Sequence, residues 1–351
     1  MKLKRIGSFA VILIVLALLF MYPLDSYISA PGSAYELAPL VELEGGEEAE
    51  QAGSFSLMTI TMAKATPVSY VLANFSKERK RLPAASVRRN GEDEAEYNLR
   101  QQRLMTNSQF NAITMAFEKA NQPYTVKHNG ILIMRVLEDG AADKQLELGD
   151  VVTGVDGVRI QEDGQFAEMI AAKKVGDQVE LTIDRKEELV TETITLGPLP
   201  GEEERVGLGI QFEEYKSVET DPEVVFHTSN IGGPSAGLMF TLELFNRLTE
   251  EDMTKGYDIA GTGEMLADGT VGRIGGADFK VIAAAKDGMD IFFAPDDEIT
   301  EEMKTYNPSI QSNYEEAVTA AKAIKAEMEI VPVRTVDDAI HYLEQLTPKK
   351  K

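Results

Sequence analysis

Residues 6–24, IGSFAVILIVLALLFMYPL, run for 19 positions without a charge, about the length a helix needs to cross the hydrocarbon core of a bilayer. Lys2, Lys4 and Arg5 precede the run. Such a basic flank stays in the cytoplasm, so the rest of a single-pass chain is expected outside the cell membrane. A cleaved signal peptide is the alternative. The apolar stretch is long for one, and the best cleavage site, YISA before Pro31, matches the small-x-small pattern poorly.

The remaining chain is long enough for two domains with cores, and 43% apolar residues among 351 exclude wholesale disorder. With 58 acidic against 35 basic residues the net charge is −23, which repels phosphates and makes nucleic acid a poor partner. The absence of cysteine removes disulfides, thiolate nucleophiles and thiolate metal sites together. His128, His227 and His341 are scattered and no H-E-x-x-H occurs, so neither a metal nor any other cofactor is expected.

Punctuation divides the ectodomain. Residues 30–53 are acidic, small and glycine-rich and read as an exposed segment leading away from the membrane. Residues 55–62, FSLMTITM, read as a strand, and Pro67 marks a break. Residues 68–120 read as a helical hairpin with an apolar stripe of Met105, Phe110, Ile113, Met115 and Phe117. From Val126 come short β-rich runs, ILIMRV and DVVTGVDG, then two strands in VELTIDRKEELVTETITL. Gly149 and Asp150 turn the chain into a strand, and Asp156 and Gly157 form a hairpin turn. After GPLPG at 197–201, EVVFHTSN reads as a strand with its exit and PSAGLMFTLELFNRL as a helix with Pro234 in its first turn. Ser235 then sits at a helix N-terminus, where free N–H groups stabilise a developing oxyanion.

The pattern centred on LELGDVVTGVDG, 146–157, resembles a PDZ domain of the bacterial protease type. That resemblance implies a peptide end added as a strand beside Gly130, Ile131, Leu132 and Ile133. The stretch GGPSAGLMF, 232–240, with YDIAGTGEMLADGTVGRIGGADFKVIAAAKDGMDIFFAP, 257–295, resembles the proteolytic domain of the Lon family. Gly233, Pro234, Ser235 and Gly237 match the family's serine motif; Thr262, Gly263 and Glu264 match its T-G-E element; and Gly275 and Gly276 precede the matching lysine, Lys280. The resemblance implies a Ser235–Lys280 dyad supported by Thr262, with the Ser235 N–H in the oxyanion hole. A lysine serves as base when burial lowers its pKa. Phe279, Val281, Ile282 and the alanines at 283–285 supply apolar neighbours, while Lys286 beside Asp287 is expected to be a solvated cation.

Two departures stand out. Lon proteases carry an acidic residue three before the serine, where this chain has Gly232, and no G-x-x-x-x-G-K-[ST] of an ATPase is present. The order anchor, PDZ, Lon-like domain resembles the surface-anchored PDZ-containing Lon-like proteases of Gram-positive bacteria, the SepM/YlbL type. The fold expected is α+β: anchor at 1–25, an extracytoplasmic segment at 26–120, PDZ at 121–199 and a Lon-like α/β domain at 200–348. The strand at 55–62 is expected to join the Lon-like sheet, making the PDZ unit an insertion. Peptides and flexible protein segments are the expected substrates of an ATP-independent endopeptidase, with a PDZ ligand tail and a homo-oligomer as further partners. Two other readings remain. Gly233-x-Ser235-x-Gly237 also fits the nucleophile elbow of an α/β-hydrolase, with His341 as base and Asp287 or Asp290 as acid. Alternatively, the chain is a membrane-tethered PDZ scaffold whose Lon-like domain is silent.

Overall fold

The computed structural model describes residues 2–44, 51–199, 201–228 and 231–350. The acidic run at 45–50 and the pair at 229–230 lie outside the described residues, as do the side chains of residues 2–8, 10, 11, 203 and 204. α1 (Lys2–Met21) covers most of the apolar run, and its described side chains, Phe9 and those at 12–21, are exposed. Among the described residues no helix is long and apolar enough to cross a membrane.

β1 (Ser26–Glu36) follows at once, then β2 (Val41–Leu43) and β3 (Ser54–Lys64). Residues 26–36 are therefore not an exposed linker. Tyr27 and Ser29 are buried, and β1 pairs antiparallel with β3. Pro31 and Gly32 disguise the strand in the sequence. They fall at a register shift between Pro31 and Ala34, and a Cβ on Gly32 would lie 2.3 Å from Thr59 Oγ1.

The helical hairpin expected over 68–120 does not form. α2 (Pro67–Leu72), a 3-10 turn at Ala73–Phe75, β4 (Lys80–Pro83) and α3 (Ala84–Val87) precede a single 26-residue helix, α4 (Glu94–Lys119). β4 is charged because it is the edge strand beside β1. α4 begins at a reciprocal capping box between Asp93 and Glu96, and it buries Met105, Ile113, Met115 and Phe117 while Phe110 is half-buried.

The chain then leaves for a smaller body. Its elements are β5 (Tyr124–Val136), β6 (Val151–Val155), β7 (Val158–Arg159), α5 (Gln165–Ala171), β8 (Gln178–Arg185), β9 (Glu188–Thr195), β10 (Gly197–Leu199), β11 (Glu202–Gly207) and β12 (Ile210–Thr220). The sheet order is β12-β5-β6-β8-β9, around a core that includes Ile131, Ile133, Val152, Phe166 and Leu181. Asp156 and Gly157, both at positive φ, make the β6–β7 turn. Because β12 pairs with β5 from Ile210 to Thr220, this body extends past the boundary expected at 199.

The return builds the larger body from β13 (Val224–Phe226), α6 (Gly237–Leu248), β14 (Asp258–Gly261), β15 (Glu264–Met265), β16 (Val271–Gly272), α7 (Ala277–Lys286), β17 (Ile291–Pro295), α8 (Glu301–Tyr306), α9 (Asn313–Ile324), β18 (Glu329–Val333) and α10 (Val336–Gln345). One six-stranded sheet runs β18-β17-β14-β3-β1-β4. β3 lies parallel to β14 across Ser54–Leu57, so residues before and after the smaller body share this sheet. Alternate residues serve its two faces. Ile259, Ile291 and Phe293 pack with α4, α6 and α10, whereas Ala260, Phe292 and Ala294 pack with α7 and α9.

Candidate active site

β14 stops at Gly261, and beyond that carboxyl end the two helical layers meet. Ser235 approaches from the α6 side and Lys280 from α7. Lys280 Nζ lies 2.7 Å from Ser235 Oγ and 2.9 Å from Thr262 Oγ1. The Thr262 hydroxyl donates its one proton to the Ser235 carbonyl at 3.0 Å. The Thr262 oxygen is then left to accept an N–H from the lysine, and in the neutral amine this turns the lone pair toward the serine hydroxyl. Lys280 is 2% exposed, and burial brings its pKa down from 10.5 to about 7. Lys286, six residues on, is exposed and pairs with Glu78 at 2.7 Å.

α6 begins at Gly237 with Ala236 as its cap, so Pro234 and Ser235 precede the helix and are not its first turn. The Ser235 carbonyl is already occupied by the Gly263 N–H and the Thr262 hydroxyl, both at 3.0 Å, and cannot open a helical ladder. The Gly237 and Leu238 N–H groups go to Pro234 and Gly263 carbonyls. Among the described residues no backbone acceptor takes the Ser235 N–H, which is thus free to donate to an oxyanion. Gly237 is needed for close packing, since a Cβ there would lie 2.6 Å from Met265 N and 2.8 Å from Ser108 Oγ. Gly276 caps α7 at φ 74°, and Gly275 opens onto the cleft.

Helix α4 holds the serine turn from behind, a role the sequence did not signal. The Gly233 N–H donates to the Gln101 carbonyl at 3.0 Å, and the Ser108 hydroxyl donates to the Pro234 carbonyl at 3.0 Å. At Gly232, where Lon proteases carry an acid, a Cβ would sit 3.2 Å from Gln101 Cβ. One turn away, Arg103 donates to the Glu214 carbonyl at 2.6 Å and pairs with Glu213 at 3.3 Å, both on β12. The same helix therefore touches the nucleophile turn and the smaller body.

Ser235 and Lys280 line a cleft of about 840 Å³ walled by β3, α4 and the 231–236 turn. β14 leaves β3 at Leu57, while β1 continues along its other side to Lys64. Residues 58–62 line the cleft and have no strand partner on that side among the described residues. This unpaired edge can add a peptide in extended form.

The hydrolase triad is not assembled. His341 is exposed on α10 and contacts Gln345, and Asp287 and Asp290 accept the N–H groups of Ala34 and Asp258. β13 pairs with the short β2, so no sheet strand leads directly into the serine turn. His227 pairs with Glu42 at the surface. Among the described residues no cluster of acidic and histidine side chains fits a metal.

The expected peptide edge at Gly130, Ile131, Leu132 and Ile133 is also corrected. β5 is interior, paired with β12 through all four of these residues and with β6 through Ile131 and Leu132. A Cβ on Gly130 would lie 2.1 Å from Val152 O, which is why glycine stands there. β12, not β5, is an end strand of this sheet. A groove of about 390 Å³ separates α5 from residues 205–212. Gly207 and Gly209 stand just before β12 in the sequence, in the stretch expected to belong to the other domain.

Residues 112–196 match the PDZ domain family, and residues 168–345, half of the chain, match the Lon protease (S16) C-terminal proteolytic domain. The chain belongs to the Lon proteolytic-domain family. Lon protease of Campylobacter concisus is 33% identical over 31% of this chain and 11% of its own length. Lon protease of Acinetobacter baumannii is 31% identical over 36% and 15%, and Lon protease homolog 2, peroxisomal, of Caenorhabditis elegans 28% over 53% and 22%. The chain thus spans under a quarter of the length of these relatives. The crystal structure of the PDZ domain of an SdrC-like protein from Listeria monocytogenes is 28% identical, covering 24% of this chain and 88% of its own, with a TM-score of 0.23. β1 and β3, which shape the Lon-type cleft, precede both family matches.

Proposed function

We propose that the protein is an ATP-independent Ser-Lys endopeptidase. The observation that carries this reading is the buried Lys280 amine, with a pKa near 7, 2.7 Å from the Ser235 hydroxyl. Ser235 Oγ attacks the scissile carbonyl while neutral Lys280 takes its proton, and the Ser235 N–H receives the oxyanion. The intermediate collapses, Lys280 returns the proton to the leaving amine, and an acyl-enzyme remains. Water, deprotonated by Lys280, then releases the acid and frees Ser235. The unpaired edge of β3 favours extended, unstructured segments as substrates.

The chain acts outside the membrane, tethered by α1 in the manner of the surface-anchored PDZ-containing Lon-like proteases. Support comes from the uncharged run at 6–24, the exposed apolar side chains along α1 and the preceding cations. The groove beside α5 receives substrate ends or a regulatory tail. Full-length protein in nanodiscs, without ATP, is expected to cut an unstructured peptide library, read by mass spectrometry, and the Ser235→Ala and Lys280→Ala variants are expected to cut nothing. Cleavage that persists in either variant would remove the dyad from the mechanism, and an inert wild type would favour the scaffold.

A further inference from the structure

The surface after Ala65 serves neither the cleft nor the groove. α2 opens on a capping box between Thr66 and Ser69 and buries none of its residues. Val71, Leu72 and Phe75 are 54%, 50% and 84% exposed. α2 packs against α1, and the two are tied at the root: the Leu24 N–H donates to the Ala65 carbonyl at 2.7 Å, and the Ala65 N–H to the Ser26 carbonyl at 2.8 Å. α2 thus starts beside the point where the chain leaves α1, where Tyr22 is exposed.

Cations follow immediately. Lys77, Arg79, Lys80 and Arg81 stand within five residues of a chain whose net charge is −23. The one acid among them, Glu78, is engaged by Lys286, and Lys80 pairs with Asp278. Arg81 stacks 4.7 Å over the Tyr70 ring, and Lys77 and Arg79 are exposed. A lone exposed apolar side chain needs no explanation. Three of them within five residues, with cations after them and the uncharged run of α1 beside them, have the composition of an interfacial element on an anionic bilayer.

We infer that α2 and the following 3-10 turn form a second membrane-contact surface, with Val71, Leu72 and Phe75 among the headgroups of an anionic bilayer and Lys77 and Arg79 on lipid phosphates. The inference rests on α1 being the membrane anchor. Its consequence is orientation. β4 follows this surface directly and pairs with β1, whose neighbour β3 walls the cleft. Two attachment points fix the height of the cleft and direct cleavage to segments close to the membrane.

The chain contains no tryptophan, so a Phe75→Trp variant of the full-length protein in phosphatidylglycerol nanodiscs carries a single reporter. Its emission is expected to shift to the blue and to be quenched at least twofold by lipids brominated near the headgroup. Adding Lys77→Gln and Arg79→Gln, or replacing the anionic lipid with phosphatidylcholine, should reduce that quenching. A Tyr306→Trp variant, on the exposed α8, should be unaffected. Quenching of a Leu16→Trp variant in α1 by lipids brominated at the acyl-chain ends, without headgroup-level quenching of Phe75→Trp, would overturn the inference while leaving the anchor intact. If neither is quenched, both fail. Phe75→Trp shielded from aqueous acrylamide but not reached by brominated lipid would assign the patch to a second copy of the chain and overturn the inference too.

Discussion

The cleft and the groove each set an unpaired strand edge beside a helix, and the two differ in what faces that edge. At the cleft, residues 58–62 of β3 face the Ser235 turn and a buried amine. At the groove, residues 210–212 of β12 face α5, and the lining holds apolar side chains and Arg205 but no nucleophile. Main-chain pairing supplies a place for a peptide in both. On the proposed mechanism, what separates cutting from holding is a lysine that has been taken out of water.

The largest effect expected is at that lysine. Lys280→Ala and Ser235→Ala should each lower kcat/KM by about three orders of magnitude or more, and the double variant should be no worse, because the two residues act as one unit. Additive losses would separate them. Thr262→Val keeps the shape but removes the hydroxyl that orients the amine, and a loss of about 100-fold is expected, mostly in kcat.

A pH profile sharpens the contrast between the two edges. On the proposed mechanism cleavage requires the neutral amine, so activity should rise about tenfold per unit below a pKa near 7 and level off above it. Peptide binding at the groove, measured with Ser235→Ala, should not follow that curve. A cleavage profile flat from pH 5 to 9 would show that Lys280 is not the titrating base.

The same burial costs stability, and the sign can be worked through. The folded pKa, about 7, lies below the unfolded value of 10.5, so between those limits the unfolded chain binds more protons and stability rises with pH. Below about pH 7 both states are protonated and the folded protein bears the full penalty, at most about 5 kcal/mol at 1.36 kcal/mol per unit. Lys280→Met should therefore be inactive yet more stable than wild type at pH 6, by a few kcal/mol after the lost hydrogen bonds are subtracted. The gain should shrink toward pH 10.5. An equally large gain at both ends, read from denaturant midpoints, would argue against a depressed pKa.

The difference between the two edges also explains what could be read from the sequence. Ser235, Thr262 and Lys280, which the fold brings together, stand out in the sequence because glycine-marked turns flank them: Gly237 is forced by Met265 and Ser108, and Gly276 by a positive φ. Strands that owe their place to distant partners were harder. β1 carries Pro31 and Gly32 inside a strand, where they fall at a register shift and where Thr59 across the sheet leaves Gly32 no room for a side chain. β12 was assigned to the wrong body because its partner, β5, lies more than 70 residues earlier in the chain. Gly130 looked like the start of a peptide edge, whereas it is the glycine that lets β6 come close. The hairpin expected over 68–120 fails because residues 67–87 form short elements and an edge strand, leaving α4 as its one long helix.

The smallest effects should come from the link between the edges. Arg103 is buried, bonded to Glu213 and Glu214 on β12, and stacked 5.2 Å from the Tyr215 ring. Gln101 and Ser108 on the same helix hold the serine turn. If the groove merely captures, Ala167→Trp, which fills it from the exposed side of α5, should raise KM for long peptides and leave six-residue peptides unchanged. If α4 transmits occupancy, the same substitution should also change kcat, and adding Arg103→Gln should abolish that change at a cost of roughly threefold in activity. A KM effect that survives Arg103→Gln unaltered, with kcat constant throughout, would make the two edges independent and reduce α4 to a support for the nucleophile turn.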